Sequence, residues 1–503
     1  MERYQDQNTL FQLAQSDRTT PAEITVDFSL PDYRAMISRL LLVRPTLTPP
    51  EIFVGAGKAE LSGMARYEVL YTDADDALHG VELCEGYHLT LPIESMPPAG
   101  SVLVADCTTD AAVGRVIGPR KLQIRTRIHT RLMGYSDKEL GVQLQGESAR
   151  QHEICRLCET LNVGRLLPTV RETITLEDRL DAPDDVRVIS AHAGVLPGEV
   201  STGEECTHVQ GELIATLLLC RDGDAVPYTA TRRIPFSHDL LVPDATPACE
   251  ARVMGTVSEM NVTVEENGIR LAPTLVLCAE IQQHEEQLVC RDLFLPSASA
   301  EYRFATEPLF CAGRCANRHF SVSGERELSL DGLENAVILD TLAEAEISEK
   351  TADGTKISLS GDVRCHLICR VGDEFLVRDV SFPFRVQMEE EALDVCASVD
   401  VPLCRAVIAG DVLRLDAELS VSSRGMTPRP TEVLTAVTLM PYVGDEREDG
   451  IEVYYPAYGE TLWDVAKRYG CAPDRICEAN GISNADSPAA PDSLSGKKHV
   501  LIP

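Results

Sequence analysis

The sequence predicts a mainly β protein: three tandem antiparallel, sandwich-like β repeats followed by a small βααβ module at the C-terminus. Three observations predict it. Leu61-Ser62-Gly63, Val209-Gln210-Gly211 and Leu359-Ser360-Gly361 each open a long apolar run, and the glycines lie 148 and 150 residues apart. Within those copies Leu122, Ile124, Thr126 and Ile128, and again Leu415, Ala417, Leu419 and Val421, alternate with polar neighbours, the period of a strand with one buried face. A helical period appears only near the end, where Leu462, Val465, Ala466 and Tyr469 recur at i, i+3, i+4 and i+7.

The elements follow in order. Residues 1–19 read as an N-terminal extension, with a short helix near Asn8 to Ser16. Repeat 1 spans 20–146, repeat 2 153–300 and repeat 3 316–440, with polar segments at 146–152 and 297–315 as linkers. Asp222-Gly223, Asn267-Gly268 and Asp353-Gly354 predict hairpin turns, because these residue types tolerate positive φ. Pro273, which lacks a ladder donor, predicts an edge strand or a bulge. The Glu389–Glu391 run reads as a solvated loop. Residues 441–450 (PYVGDEREDG) form a charged linker to the module at 451–503.

In that module Thr461 is a good N-cap and Asp464 its capping-box partner. Gly470 closes the first helix, and Pro473 opens a second. Apolar runs at 451–455 and 499–502 flank the pair as strands. The turn Gly459-Glu460-Thr461-Leu462-Trp463, the later Asn480 and the closing Ile502-Pro503 together resemble a LysM domain. The resemblance implies recognition of N-acetylglucosamine polymers such as peptidoglycan or chitooligosaccharide through two loops. Here these are Tyr458, Gly459, Glu460, Thr461, Leu462 and Trp463, and then Asn480, Gly481, Ile482, Ser483 and Asn484. Trp463 is the only tryptophan. It has two readings, a core residue of the module or an aromatic anchor for a partner. Changes at Glu460 or Ser483 are expected to touch binding alone.

Composition narrows the function classes. A chain of 503 residues exceeds one core and suits several domains. The formal net charge of −33 disfavours direct binding to nucleic acid or an anionic membrane. No apolar run reaches the ~20 residues of a membrane-spanning helix. The polar start, Met1 to Asn8, lacks the apolar segment of a signal peptide, which leads to the expectation of a cytosolic protein. Seventeen scattered cysteines, an odd number, argue against a disulfide framework. Cys220, Cys278, Cys290 and Cys369 sit in apolar runs and read as small hydrophobes. Cys155 and Cys158 with His152 have metal-like spacing but no second CxxC, so no metal site is assigned. P-loop, HExxH and GxSxG motifs are missing from the sequence. No catalytic residue and no cofactor is assigned.

Repeats opened by segments such as Leu30-Pro31-Asp32 or Asp181-Ala182-Pro183-Asp184, followed by a LysM module, resemble the SPOCS-domain spore-coat morphogenetic proteins of endospore-forming bacteria, most closely the SipL type. The third copy lacks the Leu-Pro opening and reads as degenerate. The resemblance implies a non-enzymatic adaptor in the mother-cell cytoplasm at the forespore surface and in the spore coat. Its implied partners are the ATPase of the coat basement layer and other coat proteins, with the LysM module turned from glycan to protein recognition.

Overall fold

The computed structural model describes the chain apart from residues 1–8, 56, 94–99, 146–152, 184, 222, 224–225, 267, 297, 329–332, 334, 441–449, 483–488, 491–492 and 495–496. The expected turn residues Asp222 and Asn267, the linker at 146–152 with His152, and the linker segment 441–449 lie outside the described residues.

One strand plan occurs three times. In the first unit the strands are β1 (Thr9–Ser29), β2 (Arg39–Leu47), β3 (Glu51–Gly55), β4 (Lys58–Thr72), β5 (Leu78–Pro92), β6 (Val102–Gly118) and β7 (Lys121–Leu140). The first strand pairs with the last and the last with the penultimate, giving the sheet β1-β7-β6. The middle strands form the second sheet, with β4 between β2/β3 and β5. Pro49 and Pro50 separate β2 from β3, since neither can donate to the ladder. A short strand, β8 (Gln143–Gln145), leaves this unit to pair in parallel with the third.

The second unit repeats the plan with its first strand in three pieces, β9 (Cys155–Leu166), β10 (Val170–Thr175) and β11 (Asp178–Leu180). Its meander is β12 (Val186–Thr202), β13 (Cys206–Arg221) and β14 (Tyr228–Leu241). The unit ends with β15 (Glu250–Glu265) and β16 (Gly268–Phe294), and β16 carries all three pieces of the first strand. In the third unit β17 (Ala300–Glu327) pairs with β22 (Val412–Leu439), which pairs with β21 (Asp394–Ala409). Strands β18 (Ala336–Ala352), β19 (Ile357–Val371) and β20 (Glu374–Met388) form its meander. This unit keeps the full plan, which corrects the reading of a degenerate copy. Each unit buries its own apolar core between its two sheets, centred on Leu61 and Ile124, on Leu213 and Leu271, and on Val363 and Leu415.

The repeated glycines have a steric cause. A Cβ on Gly63 would stand 2.7 Å from the Tyr87 ring, and on Gly211 2.7 Å from Phe236. Gly361 lies opposite Phe384, and a Cβ there would meet the Glu346 carbonyl. In every copy an aromatic from the next strand lies opposite the bare backbone of the glycine.

Three further expectations need correction, and a fourth holds in one of its two alternatives. Residues 9–16 are strand rather than helix, because they pair with residues 134–140 of β7, and so residues 9–19 belong to the first sheet. The segment from Ala300 to Cys315 is not a linker but part of β17, paired with β22. Glu390 is not solvated: it is 6% exposed and ion-paired with Arg318 at 2.9 Å. Pro273 sits in central β16 opposite Met260 rather than at an edge, and the expected irregularity, a bulge between Val257 and Glu259, lies beside it opposite Leu275 and Thr274.

The units meet through equivalent residues. Leu41, Ile189 and Leu339 bulge from the same point of β2, β12 and β18, and with Leu70, Leu218 and Ile368 they form one apolar cluster. A second meeting point is charged. The cross-strand pairs Asp106/Arg131, Arg252/Glu280 and Cys396/Arg424 occupy one position in the three units. Glu280 accepts from Arg252 at 2.8 Å and from Arg424 at 3.0 Å. Arg424 reaches the Tyr135 hydroxyl at 3.2 Å, and Arg252 reaches Cys396 Sγ at 3.5 Å. Burial opposes the Glu280 charge, but the two guanidinium groups reverse that and hold its pKa below the usual range.

Glu280→Ala leaves two buried guanidinium groups without their counter-ion. It is expected to destabilise the chain by about 3–5 kcal/mol in denaturant unfolding. Arg270→Ala, which breaks an exposed pair with Glu177, is expected to cost under about 1 kcal/mol.

A carboxylate with the same logic serves the first unit. Burial alone would raise Glu68, but Arg44 and Arg66 bring it down to about 2. Its contribution is complete above the unfolded-state carboxyl range and is lost as pH falls through about 2. The stability gap between the native chain and Glu68→Gln is therefore expected to be constant from pH 7 to 5 and to shrink below pH 4.5, measured by urea titrations across that range.

Candidate functional site

The C-terminal module forms as its local signals dictate. Strand β23 (Glu452–Tyr454) pairs antiparallel with β24 (Val500–Ile502), and two helices, Leu462–Tyr469 and Pro473–Asn480, lie between them. Thr461 N-caps the first helix: its Oγ1 accepts from Asp464 N at 3.2 Å, while Asp464 Oδ2 accepts from Thr461 N at 2.9 Å. Gly470 ends that helix at φ 56°, a left-handed conformation that glycine adopts without a Cβ clash. Leu462, Val465, Ala466, Ile476, Val500 and Ile502 form the core.

The structure sorts the candidate site residues into three roles. Tyr458 is wholly exposed at the tip of its turn, and Gly459 beside it takes φ 81° with open space around it. Gly481 is exposed as the left-handed cap of the second helix, and Ile482 packs partly against the core. Ser483 and Asn484 lie outside the described residues.

Leu462, Glu460 and Asn480 are internal supports. Leu462 is fully buried. Glu460 accepts from the Tyr454 hydroxyl at 2.8 Å and from Ala457 N at 2.9 Å, and pairs with Arg468 at 2.7 Å. The expectation that Glu460 touches binding alone is thus corrected, since its carboxylate organises the turn. Asn480 Nδ2 donates to the carbonyls of Ile476 (2.8 Å) and Leu501 (2.7 Å), and its Oδ1 accepts from Leu501 N at 2.7 Å. One amide thereby joins the second helix to the last strand.

Trp463 follows its core reading, in a core that extends past the module into the β body. It is 4% exposed and lies at the seam between the module and the β body. Its Nε1 donates to Asp292 Oδ2 at 2.9 Å, and its ring meets Phe294 edge-on at 5.1 Å. Lys467, one turn on, pairs with the same carboxylate at 2.7 Å and stands over the Tyr302 ring at 4.9 Å. Gly470 completes the stripe, because a Cβ there would approach the Pro296 carbonyl at 3.1 Å. Trp463, Lys467 and Gly470 thus recur at i, i+4 and i+7 on a second helix face. Sequence reasoning followed the core stripe and missed this one. Asp292, Phe294 and Tyr302 carry no local signal of their role.

Residues 457–491 match the family model of the LysM domain. No curated protein and no solved structure matches the chain. A LysM domain points to peptidoglycan or other carbohydrate binding, and the only fully exposed aromatic of the first loop, Tyr458, offers a ring face for such a ligand. No helix among the described residues is long and apolar enough to cross a membrane.

Asp292→Ala is expected to release the module from the body while leaving each folded. The readout is a red shift of Trp463 emission, unambiguous because the chain has no other tryptophan. Asn480→Ala leaves the backbone groups at Leu501 unpaired and is expected to unfold the module alone, at a cost of about 2–3 kcal/mol.

Proposed function

We propose that this chain is a non-enzymatic envelope adaptor in which three β units form a platform and the LysM module is the recognition head. One observation carries the reading. The module is held to the body through Trp463 and Lys467 on Asp292, with Arg475 of the second helix paired to Glu153, and its Tyr458–Gly459 turn stays open to solvent. A module anchored on one side and bare at its recognition turn is arranged for presentation.

The particular setting rests on resemblance. The three repeats with a terminal LysM module resemble SPOCS-domain spore-coat morphogenetic proteins, so we place the adaptor at the forespore surface, in the mother-cell cytoplasm. There its head tethers the ATPase of the coat basement layer. The net charge of −33 suits a protein partner better than an anionic polymer. The second reading is binding of an N-acetylglucosamine polymer, favoured by the LysM match and the exposed Tyr458 ring.

The test is co-sedimentation of the full chain with purified peptidoglycan, and in parallel with polymerised coat ATPase. Retention on the ATPase alone supports the coat adaptor; retention on glycan alone replaces it with the carbohydrate reading. Tyr458→Ala is expected to weaken whichever binding is found by at least about tenfold without altering the unfolding curve, because the side chain supports no packing.

A further inference from the structure

Two cysteines far apart in sequence face each other beside the LysM anchor. Cys158 on β9 and Cys290 on β16 are direct cross-strand partners. Opposed residues of an antiparallel pair have Cα atoms about 4.5–5.5 Å apart, inside the range a disulfide spans. Both line a cleft of about 430 Å³ between the units, which also carries Lys138, Arg156 and Arg303. Cys158 is exposed and Cys290 half-buried, so one thiol meets solvent and the other backs it.

We propose that Cys158 and Cys290 are a thiol–disulfide exchange site, and that its closure is felt at the LysM anchor. The Cys158 thiolate attacks one sulfur of a low-molecular-weight disulfide, forming a mixed disulfide and expelling one thiolate. Cys290 loses its proton to solvent and attacks the Cys158 sulfur. The cross-strand disulfide forms, and the second thiol leaves. The protein gives up two electrons and two protons, and the small disulfide becomes two thiols.

The surroundings assign the roles. The Cys290 thiol hydrogen-bonds to Cys158 and, against burial, lowers its pKa to about 7, with Arg156 adding to the effect. Cys290 itself is raised, chiefly by that same bond. Cys158 is therefore the attacking group and Cys290 the resolving one. Its neighbour Cys155 is pushed by burial up to about 12 and does not compete. Buried Cys365 and Cys404, 3.6 Å apart in the third core, lack the access that Cys158 has.

The link to the module is short. The ladder shifts register between Cys290 and Asp292, leaving Arg291 unpaired in the bulge. Cys290 Sγ lies 3.4 Å from the Asp292 carbonyl, and the Asp292 carboxylate holds Trp463 and Lys467. Closing the disulfide draws Cys290 Sγ toward Cys158 and retensions the bulge that aims the carboxylate.

The test treats the reduced full chain with oxidised glutathione from pH 6 to 8.5, quenches with iodoacetamide and maps peptides without reduction, while following Trp463 emission. The expected result is a Cys158–Cys290 linked peptide forming faster as pH rises through about 7, with an emission shift on the same time course. Cys290→Ser is expected to stop at glutathione on Cys158, and Cys158→Ser to give neither linkage nor shift. Failure of the linkage to form while other cysteines are modified overturns the proposal. Linkage with unchanged emission overturns it equally.

Discussion

Glu280 neutralises a place where two buried arginines, one from the second unit and one from the third, would otherwise repel each other. Its carboxylate lies between Arg252 of its own unit and Arg424 of the third, and Arg424 also reaches Tyr135 of the first. None of these charged groups is more than 2% exposed. Removing charge from water costs several kcal/mol per ion, so such a centre is tolerated only when geometry is good and few lone pairs are wasted. That demand defines register: a slip of one residue in β15, β16 or β22 would turn a charge into an apolar core. The apolar cluster of Leu70, Leu218 and Ile368 supplies burial energy at the other meeting point but is indifferent to small slips. Charge therefore sets alignment, and the apolar contact supplies adhesion.

The LysM module depends on this alignment at one remove. Its anchor, Asp292, lies near the end of β16, the strand that also carries Glu280. The pairing of β16 with β9 places Cys155 and Leu157 under the module, and the adjacent β17 brings Tyr302. The head docks through Trp463, Lys467 and Gly470, with Phe294, Cys155, Leu157 and Tyr302 beneath it and Arg475 paired to Glu153 at 3.8 Å. Such a joint holds the head in a defined pose yet responds to modest changes at its base. Cys290 of the thiol pair lies two residues from Asp292 in sequence, and the two flank one bulge.

Much of the fold was legible because its causes are local or periodic. Alternation at Leu122 to Ile128 and at Leu415 to Val421 marks strands whose buried faces are these residues. The capping box at Thr461 and Asp464 and the stop at Gly470 define the first helix from within a few residues. The glycines at 63, 211 and 361 were visible as a repeat, although the reason, an opposing strand with an aromatic in every copy, was not. The reading failed at residues 9–16, where an apolar pattern too short to separate helix from strand was decided by pairing with β7. It failed for Glu460, and stopped short for Trp463, for a related reason. A residue in a recognition motif does not reveal whether its side chain faces ligand, core or another domain.

By itself the sequence determined the mainly β class with its threefold glycine spacing, the LysM module and the ends of its first helix, because patterns within reach of one strand or one helical turn specify them. Tertiary structure alone decided how the copies meet and where the module rests. It also decided that Cys158 faces Cys290 and that Trp463 serves Asp292, pairs 132 and 171 residues apart. Those contacts arise from the summed register of many strands, and no single segment encodes that sum.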